Sequence, residues 1–185
     1  MSDRYYLTRS TTGEGYELVI REVDAHDPSL VPVLTDLDLL SFFEPTFSRF
    51  TLGAILRYGR VYTISANELV IGACHCIRSF EDPEEVVIFN MALRPGWRGN
   101  GLGTRLLHGV LSRLKARGAR SVALMVAATN HRAIAVYRTK FGFSHIATFP
   151  NEYNNGVEYL LMRLPLSGEI PHPFPEKEGV RDGND

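Results

Sequence analysis

Apolar positions along this chain recur at two different spacings, and the switches between them predict its elements. Tyr16 to Val23 (YELVIREV) reads as a first strand. Asp27-Pro28 then precedes LVPVLTDLDLLSF, whose apolar residues repeat at helical spacing and whose first turn tolerates Pro32. A shorter helix follows in TLGAILRYG, with Thr51 as its N-cap and Gly59 as its terminator. VYTIS and LVIGACHCI flank Asn67-Glu68 as a hairpin, and Val86 to Leu93 (VVIFNMAL) is the nearly continuous apolar run of a central strand.

Pro95 stops that strand. A glycine-rich loop leads into a helix from Leu102 to Arg117, with an apolar stripe of Leu102, Leu106, Val110, Leu111 and Leu114. Basic residues crowd its last turn and Gly118 ends it, as the helix dipole and capping rules expect. SVALMVA is another buried strand, NHRAIAVYRTK a helix opened by Asn130 and broken at FGF, and SHIATF and VEYLLMRL are two last strands. The order is strand, two helices, three strands, helix, strand, helix, two strands. That predicts a mixed α/β (α+β) sheet of about seven strands and about four helices, not an alternating doubly wound one. Pro165 to Asp185, rich in proline and charge, is expected to be a disordered tail after a domain spanning 1–164.

Composition narrows this picture little. The chain has 185 residues, 44% hydrophobic and 22% charged, which fits one ordinary globular domain. A net charge of −1 removes any reason to expect general affinity for nucleic acid or anionic membranes. MSDRYYLTRS has no apolar signal core, and no stretch approaches the roughly 20 apolar residues of a membrane span, so a cytoplasmic location is expected. Cys74 and Cys76 share one face of a strand with His75 on the other. Two rises of about 3.3 Å are awkward for a disulfide, and the cluster offers too few metal ligands. Two buried thiols and no metal are the expectation.

The chemistry begins in LRPGWRGNGLGTRLL, where Gly99, Gly101 and Gly103 sit just before a helix. A helix N-terminus offers unpaired N–H groups and partial positive charge, and glycines let an anion approach the backbone. A Walker A loop would need a lysine before Thr104. A dinucleotide fingerprint would need glycine at Thr104 itself. Neither nucleotide motif fits.

Taken with the blocks around it, this stretch resembles the GCN5-related N-acetyltransferase (GNAT) superfamily. The resemblance rests on Arg98-Gly99-Asn100-Gly101-Leu102-Gly103 after FNMALRP, on Asn130, Ala133 and Tyr137 before FGF, and on IATFPNEYNNGVEYLLM. It covers about Leu18 to Leu164 and is nearest in pattern to the branch acetylating protein N-termini, such as the N-terminal alanine of a ribosomal protein. It implies a GNAT fold with a largely antiparallel sheet, acetyl-CoA as co-substrate, a primary amine as acceptor and no metal. It also implies that amides from Arg98 through Thr104, those of Asn100 and Leu102 included, hold the coenzyme A pyrophosphate. Backbone of Met91, Ala92 and Leu93 would pair with the pantetheine arm beside a splay in the sheet, and Asn130 would contact the coenzyme while capping its helix. Arg98 and Arg105 would add positive charge.

The reaction is attack of an amine on a thioester with expulsion of a thiolate, which needs a proton donor. Tyr137 stands where the family places its general acid. Many relatives carry a glutamate in the strand before Asn130, and here Met125 stands at that point and cannot take a proton. Glu85 is the candidate base, because on a regular strand it shares a face with Val87, Phe89 and Met91. Glu84, Asp82 and Glu152 are the alternatives, and a peptide α-amine of pKa about 8 needs no dedicated base. The acceptor is expected between the N-terminal helices and the last hairpin, near Phe42, Phe43, Phe47, Phe50 and Tyr153; peptide N-termini and small-molecule amines both fit. Whether the chain is a monomer or a homodimer is left open. A non-catalytic acyl-CoA-binding sensor or regulatory module is the competing reading, since Met125 removes one expected catalytic group.

Overall fold

Eight strands form one sheet in the computed structural model of the chain, which describes residues 3–8, 15–24, 27–42 and 47–171. They are β1 (Asp3–Thr8), β2 (Gly15–Glu22), β3 (Arg60–Ala66), β4 (Leu69–Arg78), β5 (Glu85–Leu93), β6 (Ser121–Ala127), β7 (Ser144–Phe149) and β8 (Tyr159–Pro165). Their spatial order is β1-β2-β3-β4-β5-β6-β8-β7, and β5–β6 is the parallel pair. The seven expected strands are all present. The eighth, β1, lies in the polar opening segment, where no apolar alternation announced it, and pairs with β2 from Asp3↔Ile20 to Thr8↔Gly15.

Helices α1 (Leu30–Phe42) and α2 (Arg49–Tyr58) cover one face of the sheet; α3 (Leu102–Ala116) and α4 (His131–Val136) cover the other. Leu34, Leu37, Leu52 and Leu56 pack with Val61, Ala73 and Ala92 on the first face. Leu102, Leu106, Val110 and Leu114 pack with Ile20, Tyr62, Val86 and Ile88 on the second. The α3 stripe is the one its 3.6-residue period predicts. The N-cap of α2 is Ser48, not Thr51: the Ser48 hydroxyl accepts from the Thr51 amide at 3.1 Å, so the helix starts a turn earlier. Gly59 ends it as expected, since a Cβ there would stand 2.5 Å from the Cys76 carbonyl oxygen.

Chain packing continues past the expected boundary. Pro165 closes β8, Leu166 is buried and donates its amide to the Arg120 carbonyl, and Ile170 packs on the second core. Residues 172–185 of the expected tail lie outside the described residues, as does Phe43. Cys74 and Cys76 are buried free thiols with sulfurs 3.9 Å apart. No helix among the described residues is long and apolar enough to cross a membrane.

Two irregularities in β5 create the site. Against β4 the register jumps from Ile88↔Cys76 to Asn90↔His75, leaving Phe89 as an extra, bulged residue. Against β6 the pairing covers Glu85–Ile88 opposite Ser121–Leu124 and then stops. Beyond that point β6 keeps its ladder with β8 while β5 stays with β4, so the sheet splays open at Met91, Ala92 and Leu93. A one-residue bulge also reverses which face each side chain takes. Val86 and Ile88 belong to the α3 core, and so do Met91 and Leu93, whereas Ala92 belongs to the α1–α2 core. Glu85 and Met91 therefore point to opposite faces.

Candidate active site

The loop between β5 and α3 is held from below. A 3₁₀ turn at Pro95–Trp97 buries Trp97 edge-on against Tyr16, ring centroids 5.1 Å apart. Arg98 donates from Nε to the Leu93 carbonyl and from Nη2 to the Ser41 carbonyl, both at 2.9 Å, which ties the loop to the ends of β5 and α1. The Arg98 amide itself is taken by the Pro95 carbonyl at 3.2 Å. From Gly99 through Thr104, however, six successive amides have no acceptor among the described residues; Arg105 makes the first bond of α3, to the Gly101 carbonyl. Gly99 and Gly101 sit at φ +90° and +73°, where L side chains are strained, and Gly101 caps α3 without a side chain. A Cβ on Gly103 would press Leu93 Cδ1 at 3.3 Å. Six bare amides at a helix N-terminus form an anion nest.

That nest opens into a cleft of about 220 Å³ at the splay. Met91 and Leu93 form one wall and Gly99, Gly103 and Thr104 the floor; Asn130, Ala133, Val136 and Tyr137 of the α4 segment form the other wall. The cleft thus unites most of the residues singled out by motif. Ala92 turns to the α1–α2 core and Leu102 is 1% exposed, so these two, like Gly101, can offer backbone alone, and Asn100 is exposed outside the cleft lining. Leu107 and Arg132 also line it. Neither was singled out from sequence, although Arg132, two residues past the N-cap, stands in the turn that faces the glycine loop; its Nη2 is 3.9 Å from where a Gly99 Cβ would be.

Asn130 caps α4: its Oδ1 accepts from the Ala133 amide at 3.2 Å, leaving Nδ2 without an acceptor among the described residues. After six residues α4 widens into a π turn, Tyr137–Phe141, closed by Gly142 at φ +81°. Such a turn commonly marks a functional position, and this one starts at Tyr137. Burial pushes the Tyr137 phenol up to about 12, with the neighbouring Cys74 thiol adding to the shift. The phenol is a donor throughout the neutral range.

Glu85 does not belong to this site. It lies six residues from Met91, about 20 Å along the strand, and on the other face. Its carboxylate is occupied: Arg163 Nε donates to Oε1 at 2.5 Å and Ser121 Oγ at 3.3 Å. The expectation assumed a regular strand, and the bulge at Phe89 removes that premise. Glu84 is paired with Arg120 and Asp82 accepts from the Glu84 amide, both at that same far end. Glu152 is exposed in the β7–β8 loop beside Tyr153. No carboxylate lines the cleft among the described residues.

Across β5, on the α1–α2 face, a polar cluster anchors the helices. The buried Asp38 accepts from the Phe47 amide and from Asn90 Nδ2, at 3.2 and 3.3 Å. Phe47 is buried against His75 and stacks on the half-exposed Phe89, while Phe50 is 88% exposed. Met125 lies on this face of β6, opposite in sense to the α3 core residues Leu124 and Val126.

A splayed sheet, an anion nest and a half-buried phenol meet at this junction. Residues 31–143 match the model of the acetyltransferase (GNAT) family, and the chain belongs to that family. It is 33% identical over 87 residues to the [Ribosomal protein bS18]-alanine N-acetyltransferase of Escherichia coli K12, a match covering 45% of this chain and 58% of that relative. The crystal structure of the ribosomal-protein-S18-alanine N-acetyltransferase from Escherichia coli shares the fold, with a TM-score of 0.71 at 24% identity, covering 82% of this chain and 96% of that one. So does Arabidopsis thaliana Naa50 in complex with the bisubstrate analogue CoA-Ac-MVNAL, at TM-score 0.65 and 21% identity, covering 78% and 97%.

Proposed function

We propose that the chain transfers acetyl from acetyl-CoA to a primary amine, with the α-amine of a peptide N-terminus preferred over lysine-type amines. The observation that carries the coenzyme part is the run of six bare amides, Gly99 to Thr104, opening into the splay. Acetyl-CoA supplies a thioester carbonyl and a thiolate leaving group. The nest suits its pyrophosphate, Arg132 adds charge at the rim, and the free backbone edge at Met91–Leu93 suits the amides of an extended arm. Met91, Leu107 and Val136 keep the cleft apolar and poor in water.

Tyr137 holds its proton at the cleft wall. With its phenol at about 12 and a thiol near 8.5, full proton transfer is uphill by about 3.5 units, about 5 kcal/mol. Tyr137 thus acts by hydrogen-bonding the developing thiolate as the carbon–sulfur bond breaks; it keeps its proton, and the released thiolate is protonated from solvent. The acceptor nitrogen bonds the carbonyl carbon and loses its own proton to solvent, because no carboxylate among the described residues lines the cleft. That circumstance favours an amine already neutral near pH 7. An α-amine has a pKa of about 8 against about 10.4 for lysine, so at pH 7 its free base is about 230-fold more abundant. The relatives named above, one acting on a ribosomal-protein alanine and one holding an acetylated peptide analogue, support the same acceptor class.

The missing carboxylate equally favours a module that binds acyl-CoA without turning it over. Thiol release from acetyl-CoA across a panel of N-terminal peptides and small amines separates the two: release with at least one amine supports transfer, and binding without release supports the module.

A further inference from the structure

The opposite end of the sheet carries a second cavity that the acetyl-transfer reading leaves unused. About 230 Å³ in volume, it lies where α3 ends and β3 and β5 begin. That is room for seven or eight waters at about 30 Å³ each. Val86 lines it, while Met91 and Leu93 of the same strand line the first cleft, about 17–23 Å away.

Its floor is apolar, made by Cys76, Val86 and Leu114, and its rim carries Arg60, Arg78 and Arg117. One carboxylate serves two of these arginines. Glu22 bonds Arg60 Nε at 3.1 Å and Arg117 Nη2 at 2.8 Å, which leaves the group two charges positive. Arg78 is held by the Pro83 carbonyl, and Arg60 Nη1 by the Gly59 carbonyl at 2.7 Å. Arg117 Nη1, Arg60 Nη2 and Arg78 Nη2 have no acceptor among the described residues. Glu22 offsets one of the three guanidinium charges, and the spare donors over an apolar floor suit a further anion.

We infer that this cavity is a binding site for a small amphipathic anion, a carboxylate head on a short apolar body, with the head on Arg78 and Arg117 and the body on Val86 and Leu114. Gly59 closes one wall because β4 leaves no room there for a Cβ. The site is independent of whatever occupies the glycine nest.

Titration of the full chain with sodium hexanoate, followed residue by residue in ¹H–¹⁵N spectra, tests it. Saturable shifts are expected at Gly59, Ile77 and Arg78, with none of comparable size from hexanol. Arg78→Met should weaken hexanoate at least tenfold; Arg78 is exposed and does not touch Glu22, so a melting temperature within about 2 °C of the parent confirms that the fold is kept. Inorganic phosphate tests the head without the body: weaker binding than hexanoate supports the inference, and equal or tighter binding overturns the apolar-body part. Shifts confined to Gly99–Thr104, or hexanoate binding unchanged by Arg78→Met and Arg117→Met, overturn the site while leaving the first cleft untouched.

Discussion

Replacing Gly101 by glutamate sets two effects against each other, and the structure says how to separate them. Gly101 is the N-cap of α3 at φ +73°, a conformation that costs an L residue about 1–2 kcal/mol. A negative side chain at a helix N-terminus returns about 0.3–1 kcal/mol of that through the helix dipole. The unliganded variant should therefore lose at most about 2 kcal/mol, a drop of about 2–8 °C in Tm for a chain of this size. Acetyl-CoA at a hundred times its Kd adds about 2.7 kcal/mol to the parent, about 5–10 °C. In Gly101→Glu that rise should vanish, because the carboxylate occupies the nest and repels the pyrophosphate. Gly118→Glu is the control: Gly118 has φ +84° with open space around a Cβ, at the far end of α3. It carries the same backbone strain and should keep the full ligand-induced rise. Differential scanning fluorimetry with and without acetyl-CoA reads all six values. An unchanged rise in a folded Gly101→Glu would refute the nest.

Tyr137→Phe should keep acetyl-CoA affinity and lose about 10²-fold in kcat, measured by thiol release at saturating substrate; an undiminished rate with chemistry limiting would make Tyr137 a packing residue. Glu85→Gln should leave kcat and KM unchanged while costing about 1 kcal/mol of stability from the Arg163 pair, which is partly exposed; a large loss of rate in the folded variant would return Glu85 to catalysis. His75 is held at about 4 by burial, partly offset by the Asn90 backbone, against about 6.5 when unfolded. A histidine kept neutral in the fold contributes stability above pH 6.5 and loses it as pH falls towards 4, by up to about 3 kcal/mol. Urea unfolding of the parent should show that decline and His75→Phe should lessen it, whereas parallel pH curves for the two proteins would count against it.

Long periodic segments were legible because burial repeats with their geometry: the α3 stripe, the β3–β4 hairpin and the central strand lie where the apolar spacing puts them. The nest was legible because glycines at alternate positions before a helix serve little else, and Asn130 because capping residues announce themselves. Glu85 was misread for a local reason. Strand alternation is a rule about regular pairing, and a single bulged residue, Phe89, inverts it without any mark in the apolar run. Strand β1 escaped because its six residues show no clean alternation and its partner supplies the register. The expected boundary at 164 came from the proline and charge content of 165–185, although Pro165 closes β8 and Leu166 is buried. Arg132 needed the third dimension, since only the fold turns the start of α4 towards the glycine loop.

The central claim is that the cleft transfers acetyl to an amine without an enzyme carboxylate as base, and the pH dependence of kcat/KM for two peptides of one sequence tests it most directly. One peptide has a free N-terminus and no lysine; the other has a blocked N-terminus and one lysine. The account predicts that the α-amine peptide is favoured by at least a hundredfold at pH 7. Its rate should level off near pH 8, and the lysine peptide should still be climbing at pH 9 with a slope near one and no inflection between pH 4 and 7. Comparable rates for the two peptides at pH 7, or an inflection in that acidic range, would contradict it.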